Sequence, residues 1–320
     1  MHLPMVTMFL ESSRTAVGMY SAGLVVLLIG AWAAKDDVAQ ARGLDKIVAL
    51  RNVCFAVPLA VFGALHLFGP DFVKALVPPY MPGRIFWVYF VGCALISAGL
   101  SIATKIAVRW SGLLVGIMMF IFVAMLYLPF AVTHLHARIT WTIVFRESSF
   151  GGAGWILAGT AIHGWRRGKS VLINVGRVCV TLALIMFGIQ HFLHPTGLPG
   201  VPLQKQMPGW LPGRVLIDYV TGALLLIAAG SVLLRRKTRE VAATVGGWIL
   251  LMVAVIYIPV MISALTIPDI GVKVEGINYF ADTLLFAGVI LALASATPRS
   301  EGQNGGRTAF HGDEVSASAR

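Results

Sequence analysis

The sequence predicts an all-α, polytopic transmembrane helical bundle: two parallel four-helix repeats plus an N-terminal anchor helix. Three observations carry that prediction. Hydrophobic residues make up 58% and charged residues 12% of the 320 positions, with a mean hydropathy of +0.82. A soluble domain has nowhere to put so much apolar surface. The apolar runs are about 20 residues long, enough for a helix to cross the hydrocarbon core, and lack the roughly ten-residue alternation of outer-membrane barrel strands. Finally, one ordered pattern of Phe, Gly, His, Pro, Arg and Tyr is written twice.

Taken in order, nine spans are expected at roughly 15–34, 47–69, 84–104, 109–132, 142–163, 172–193, 213–234, 241–265 and 276–296. The fifth holds Arg146 and Glu147 in what would be its first turns, so its membrane part is expected to begin after Glu147. Residues 1–46 read as the anchor helix and a basic loop, 47–168 as the first unit and 169–298 as the second. The tail, 299–320, is rich in Ser, Gly and charge and is expected to be disordered in the cytoplasm.

Orientation follows from the Lys/Arg bias of the connections. Basic connections (Lys35, Arg42, Lys46 and Arg51; Lys105 and Arg109; Arg166, Arg167, Lys169 and Arg177; Arg235, Arg236, Lys237 and Arg239) alternate with sparse ones, such as Lys74 with Arg84 and Lys205 with Arg214. The alternation places the N-terminus outside and the C-terminus in the cytoplasm of an inner (plasma) membrane. Ala31-Trp32-Ala33 would also suit signal-peptide cleavage. Cleavage would leave Lys35 to Arg51 outside, against the downstream pattern. The net charge of +11 is thereby read as topology and lipid-headgroup contact, not as a nucleic-acid surface.

The repeat is the most specific signal. Phe62-Gly63-x-x-His66 returns as Phe187-Gly188-x-x-His191, 125 positions on, and Cys54 returns as Cys179. After an insertion in the second copy the offset becomes 130. It then holds through Pro78/Pro208, Arg84/Arg214, Tyr89/Tyr219, Gly92/Gly222, Tyr127/Tyr257 and Pro129/Pro259. Four spans per unit make both copies enter from the same side, so the repeats are parallel. Phe-Gly-x-x-His closing a first helix, followed by a Pro-rich outer loop, resembles the DoxX-like family of bacterial four-helix membrane proteins. The ending Gly276-Ile277-Asn278-Tyr279-Phe280-Ala281-Asp282-Thr283-Leu284 is also similar to endings in that family. The resemblance covers about 47–163 and 172–296. It implies a four-helix unit and, by analogy with some members, a subunit of a quinone-reducing redox complex with a redox partner subunit. It carries over no catalytic residues, and this chain departs from the usual single unit by fusing two.

The polar groups inside the spans converge on the outer leaflet, where a pocket is expected. The ligand-binding candidates are His66, His191, Arg84, Arg214, Asp218, Tyr219, Tyr257 and Asp282. Each has a structural reading beside the functional one. Tyrosines at that depth anchor the interface, the arginines snorkel or pair with a carboxylate, and the histidines hydrogen-bond the Pro-rich loop. The two histidines could also meet as a quinone-binding pair; haem is disfavoured because no further histidine lies at matched depth within the spans. Asp218 and Asp282 stand where the first unit has Val88 and Gly152 or Ala153. They are expected to face Arg214 and His191 in one cluster, Asp282 a turn or two into its helix. His134-x-His136 has a spacing that does not share one helical face, so no metal site is assigned.

Phosphate loops, nucleophile elbows and His-Glu-x-x-His are absent from the sequence, which disfavours primary pumps, zinc proteases and self-contained dehydrogenases. The three cysteines show no Cys-x-x-Cys spacing. Two readings stay open: a redox subunit contacting a quinone-type carrier, and a non-enzymatic solute- or lipid-binding protein, permease or scaffold. No pair of Gly/Pro-broken helices at the midplane, the usual mark of a secondary transporter, is evident. A midplane acid or a broken helix would favour the second reading.

Overall fold

The computed structural model describes residues 3–162 and 166–298, with side chains over 14–162 and 167–298. The tail expected to be disordered lies outside the described residues. Those described are helical, apart from turns and one isolated bridge between Gly197 and Gln206.

The helices in chain order are α1 (Leu3–Gln40), α2 (Asp45–Ala49), α3 (Arg51–Phe68), α4 (Pro70–Lys74), α5 (Arg84–Ala103), α6 (Val108–Phe122), α7 (Leu128–Thr133), α8 (Arg138–Ala161), α9 (Arg166–Leu193), α10 (Arg214–Leu233), α11 (Thr238–Met252), α12 (Ile258–Leu265) and α13 (Ile270–Ser295). Joined across short interruptions, they contain eight helices long and apolar enough to cross a membrane. Only α8 among the nine expected spans fails on hydropathy, though it has the length. The reason is packing. α8 is enclosed by α6, α9 and α13, so much of its surface meets protein and need not be apolar enough for lipid. It also starts at Arg138, not after Glu147. Arg146 and Glu147 sit inside it and are satisfied by each other and by α13, which removes the reason to begin the helix later.

Two helices are wound wider over one turn. Val123–Tyr127 and Val253–Tyr257 are π-helical, each just before Pro129 or Pro259. Proline has no N–H to donate and its ring crowds the carbonyl four residues back, so the preceding turn opens. The helices widen without breaking, about two-thirds of the way along Val108–Thr133 and Thr238–Leu265, so no helix interrupted at its midpoint appears among the described residues. On the opposite side the turns before α6 and α11 use left-handed, non-glycine backbone at Lys105 and Ala107, and at Arg235 and Lys237.

Packing follows chain order around a closed circuit: α3 on α5, α5 on α6, α6 on α8, α8 on α9, α9 on α10, α10 on α11, α11 on α13, and α13 back on α3. α8 and α13 also touch across the middle, dividing the circuit into two five-helix rings that share this pair. Among the described residues, α3 and α8 make no close approach, nor do α3 and α9. Small residues allow the tight crossings. A Cβ on Gly112 would stand 2.6 Å from the Gly154 carbonyl oxygen, and one on Gly154 would stand 2.8 Å from that of Gly112. α1 lies against α3, α5 and α13.

Candidate functional site

The connection after α9 does not run over the surface. It folds back as a hairpin, with Leu198 N–H donating to the Lys205 carbonyl (3.0 Å) and Met207 N–H to that of Thr196 (3.0 Å). Its tip, residues 198–202, is buried in the ring formed by α8, α9, α10, α11 and α13. Gly200 takes φ +105°, and a Cβ there would meet Thr283 of α13 at 3.3 Å and Ile249 of α11 at 3.6 Å. Both the backbone conformation and the close approach therefore call for glycine.

This tip collects three of the predicted residues. Tyr257, 1% exposed, donates its hydroxyl to the Pro199 carbonyl at 2.5 Å. Gly200 N–H donates to His191 Nε2 at 3.1 Å, while the Gly200 carbonyl stands farther away, at 3.4 Å. With Nε2 accepting, the ring proton lies on Nδ1, which is 3.0 Å from Asp218 Oδ1. Asp218 is fully buried, and its hydrogen-bonding neighbours, His191 and the Gly197 backbone, are not well aligned with its oxygens. Two residues the sequence reading missed complete the chamber. Thr142 donates to Gln190 Oε1 at 2.9 Å and more weakly to the Pro202 carbonyl at 3.4 Å, and the Gln190 amide nitrogen has no acceptor.

Asp282 stands apart from these. It lies 12 residues into α13, about 18 Å along the axis and near the middle of the helix, because α13 begins at Ile270. Its Oδ2 accepts from Arg146 Nη1 at 2.7 Å, and Arg146 also donates to Glu147 Oε1 through Nη2 at 2.8 Å and Nε at 3.1 Å. The three side chains are 8%, 14% and 10% exposed respectively. One buried cation thus faces two carboxylates. The expected single cluster of Asp218, Asp282, Arg214 and His191 is in fact two: Asp218 pairs with His191, and Asp282 with Arg146.

A cavity of about 420 Å³ rises from Arg146 and Asp282 between α8 and α13 to Gly271, in the first turn of α13. Phe72, Ile143, Leu203 and Val274 form its apolar walls; Glu275, Asn278 and Tyr279 are its other polar residues. At the mouth Lys205 pairs with Glu275 at 2.9 Å and rests 5.2 Å from the centre of the Tyr279 ring.

The remaining candidates serve their own loops. His66 is half-buried, with Nδ1 2.7 Å from the Phe62 carbonyl of its own helix. It does not form a pair with His191, since α3 and α9 are not neighbours. Arg84 donates to the Lys74 carbonyl (2.6 Å) and Arg214 to the Met207 carbonyl (3.5 Å), each closing the loop before its helix instead of pairing with a carboxylate. Tyr219 is 39% exposed and stacks on Phe192. His134 has Nδ1 3.0 Å from the Phe130 carbonyl and stacks on that ring. Arg146 and Glu147 were in view in the sequence only as an obstacle to a span. A charge pair within an otherwise apolar helix is by default a site signal.

No family model, curated protein or solved structure matches the chain.

Proposed function

We propose that this is a solute- or lipid-binding membrane protein whose ligand occupies the cavity above Arg146 and Asp282. The carrying observation is the cavity itself: about 420 Å³, within the range of small-molecule sites, with apolar walls and a few convergent polar groups. The polar end reaches the middle of α13, and two helices carry π turns; both features belong to solute-handling membrane proteins more than to plain anchors. In this reading the chain holds two DoxX-like units in parallel behind an anchor helix, with the N-terminus outside and the C-terminus in the cytoplasm of an inner membrane. Features that recur 130 positions apart support the duplication: the π turns at Val123–Tyr127 and Val253–Tyr257, the left-handed Lys105/Ala107 and Arg235/Lys237, and the left-handed Gly83 and Gly213. The cavity then opens to the outer leaflet.

One observation favours a second, redox reading. Two carboxylates, Glu275 and Asp282, line the cavity as acceptors, and a quinol, which donates from two hydroxyls, can bond to them where a quinone, which only accepts, cannot. The test is solvent extraction and mass spectrometry of protein purified in mild detergent, comparing the wild type with Gly271→Trp, which fills the mouth. A small molecule carried by the wild type and lost from the variant is the expected result. A quinol among the lost species would establish the redox reading. Identical extracts would overturn the cavity as the site.

A further inference from the structure

We infer that the ligand of this cavity is an organic ammonium ion, an inference that rests on the cavity being the binding site. The floor is short of positive charge. Arg146 is shared by Asp282 and Glu147, which leaves a formal charge of −1 in a nearly buried cluster. Among the described residues, Arg146 is the cation within ion-pair distance of Asp282, and Glu147 is the second carboxylate on it. The titratable Tyr127, from the π turn of the other ring, also faces this cluster and is neutral when protonated. A surplus anion in a membrane interior is costly unless a positive charge joins it.

The walls agree with the floor. The Asn278 side-chain oxygen is buried without a donor, and the nearby Tyr279 offers a ring face. The chain itself shows which chemistry this region accepts: the Lys205 ammonium rests over Tyr279 and pairs with Glu275. Ammonium over an aromatic face, paired with a carboxylate, is a favourable arrangement in a partly desolvated site. A second ammonium, on a ligand whose apolar part lies against Phe72, Ile143 and Val274, would place its charge at Asp282 and its N–H donors within the acceptor-lined end. An anionic ligand would meet a cation already outnumbered, because three of Arg146's five N–H donors run to two carboxylates and the cluster carries a net negative charge.

The experiment compares three probes of similar size by titration calorimetry on the purified full-length protein: 2-phenylethylammonium, the neutral 2-phenylethanol, and phenylacetate. The expected order is ammonium at least tenfold tighter than alcohol, with phenylacetate weakest. Glu147 does not line the cavity, so Glu147→Gln removes the surplus charge without changing the walls. It should abolish the ammonium preference while leaving the alcohol's affinity unchanged. Equal binding of ammonium and alcohol to the wild type would overturn the ammonium assignment, in favour of a proton on the cluster and a neutral donor as ligand, but would leave the cavity as a site. If none of the three binds, the cavity reading itself fails, and this inference with it.

Discussion

Asp218 is a wholly buried carboxylate whose hydrogen-bonding neighbours are His191, with Nδ1 at 3.0 Å, and the Gly197 backbone, neither contact being well aligned. Burying a charge with poorly aligned partners costs desolvation free energy that a neutral side chain of the same shape avoids in part. Asp218→Asn is therefore expected to stabilise the fold by about 1 kcal/mol, seen as a higher unfolding midpoint in detergent; a lower midpoint would mean that the Asp218–His191 contact stabilises the fold on balance. Arg146 behaves oppositely, since it satisfies two carboxylates at once. Arg146→Met strands both and should cost about 3–5 kcal/mol, as for other broken buried pairs, whereas Glu147→Gln leaves the Asp282 contact in place and should cost less. Similar midpoints for the two variants would contradict the shared-cation geometry.

At the scale of elements, the inward hairpin is the decisive feature. Its tip contacts α8, α9, α13 and the span that contains α11, through Thr142, His191, Thr283, Ile249 and Tyr257. Tyr257→Phe removes a single bond to the tip and should lower stability by about 1 kcal/mol. It should also raise the labelling rate of a cysteine placed at Val201, which is 1% exposed; an unchanged rate would show that the tip is held without Tyr257. The α6–α8 crossing depends on bare backbone. Gly154→Leu must push against the Gly112 carbonyl and should destabilise by about 1–3 kcal/mol, the usual cost of overpacking, while the same change at exposed Gly209, where nothing lies within 4 Å, should be nearly silent.

For the whole molecule, the circuit of helices makes each half dependent on the other. α8 of the first half packs on α9 of the second, α13 returns to α3, and α3 does not close on α8. Residues 1–165 and 166–320 expressed separately should therefore aggregate in detergent, and the two co-expressed should co-purify as one complex. A monodisperse, folded first half on its own would disprove this interdependence. The same arrangement explains the position of the cavity, which lies against the α8–α13 pair shared by both rings and belongs to neither half alone.

Length and apolar runs were enough to read an all-helical chain with several helices able to cross a membrane, and the approximate helix boundaries. Both are written locally, in hydropathy over about 20 residues. The polar residues that matter were only partly legible. His191, Asp218 and Tyr257 do come together, but around the chain's own hairpin, and no local pattern states that an outer loop will turn inward. Arg146 is out of place in an apolar helix when read locally, because its partner Asp282 is 136 positions away in the sequence. A charge in a membrane helix is interpretable only once the opposite charge is located, and that distance is set by how helices cross. The sequence by itself determined which segments form helices long and apolar enough to cross a membrane; tertiary structure decided which buried charges meet, which cavity they border, and that one ring is filled from within.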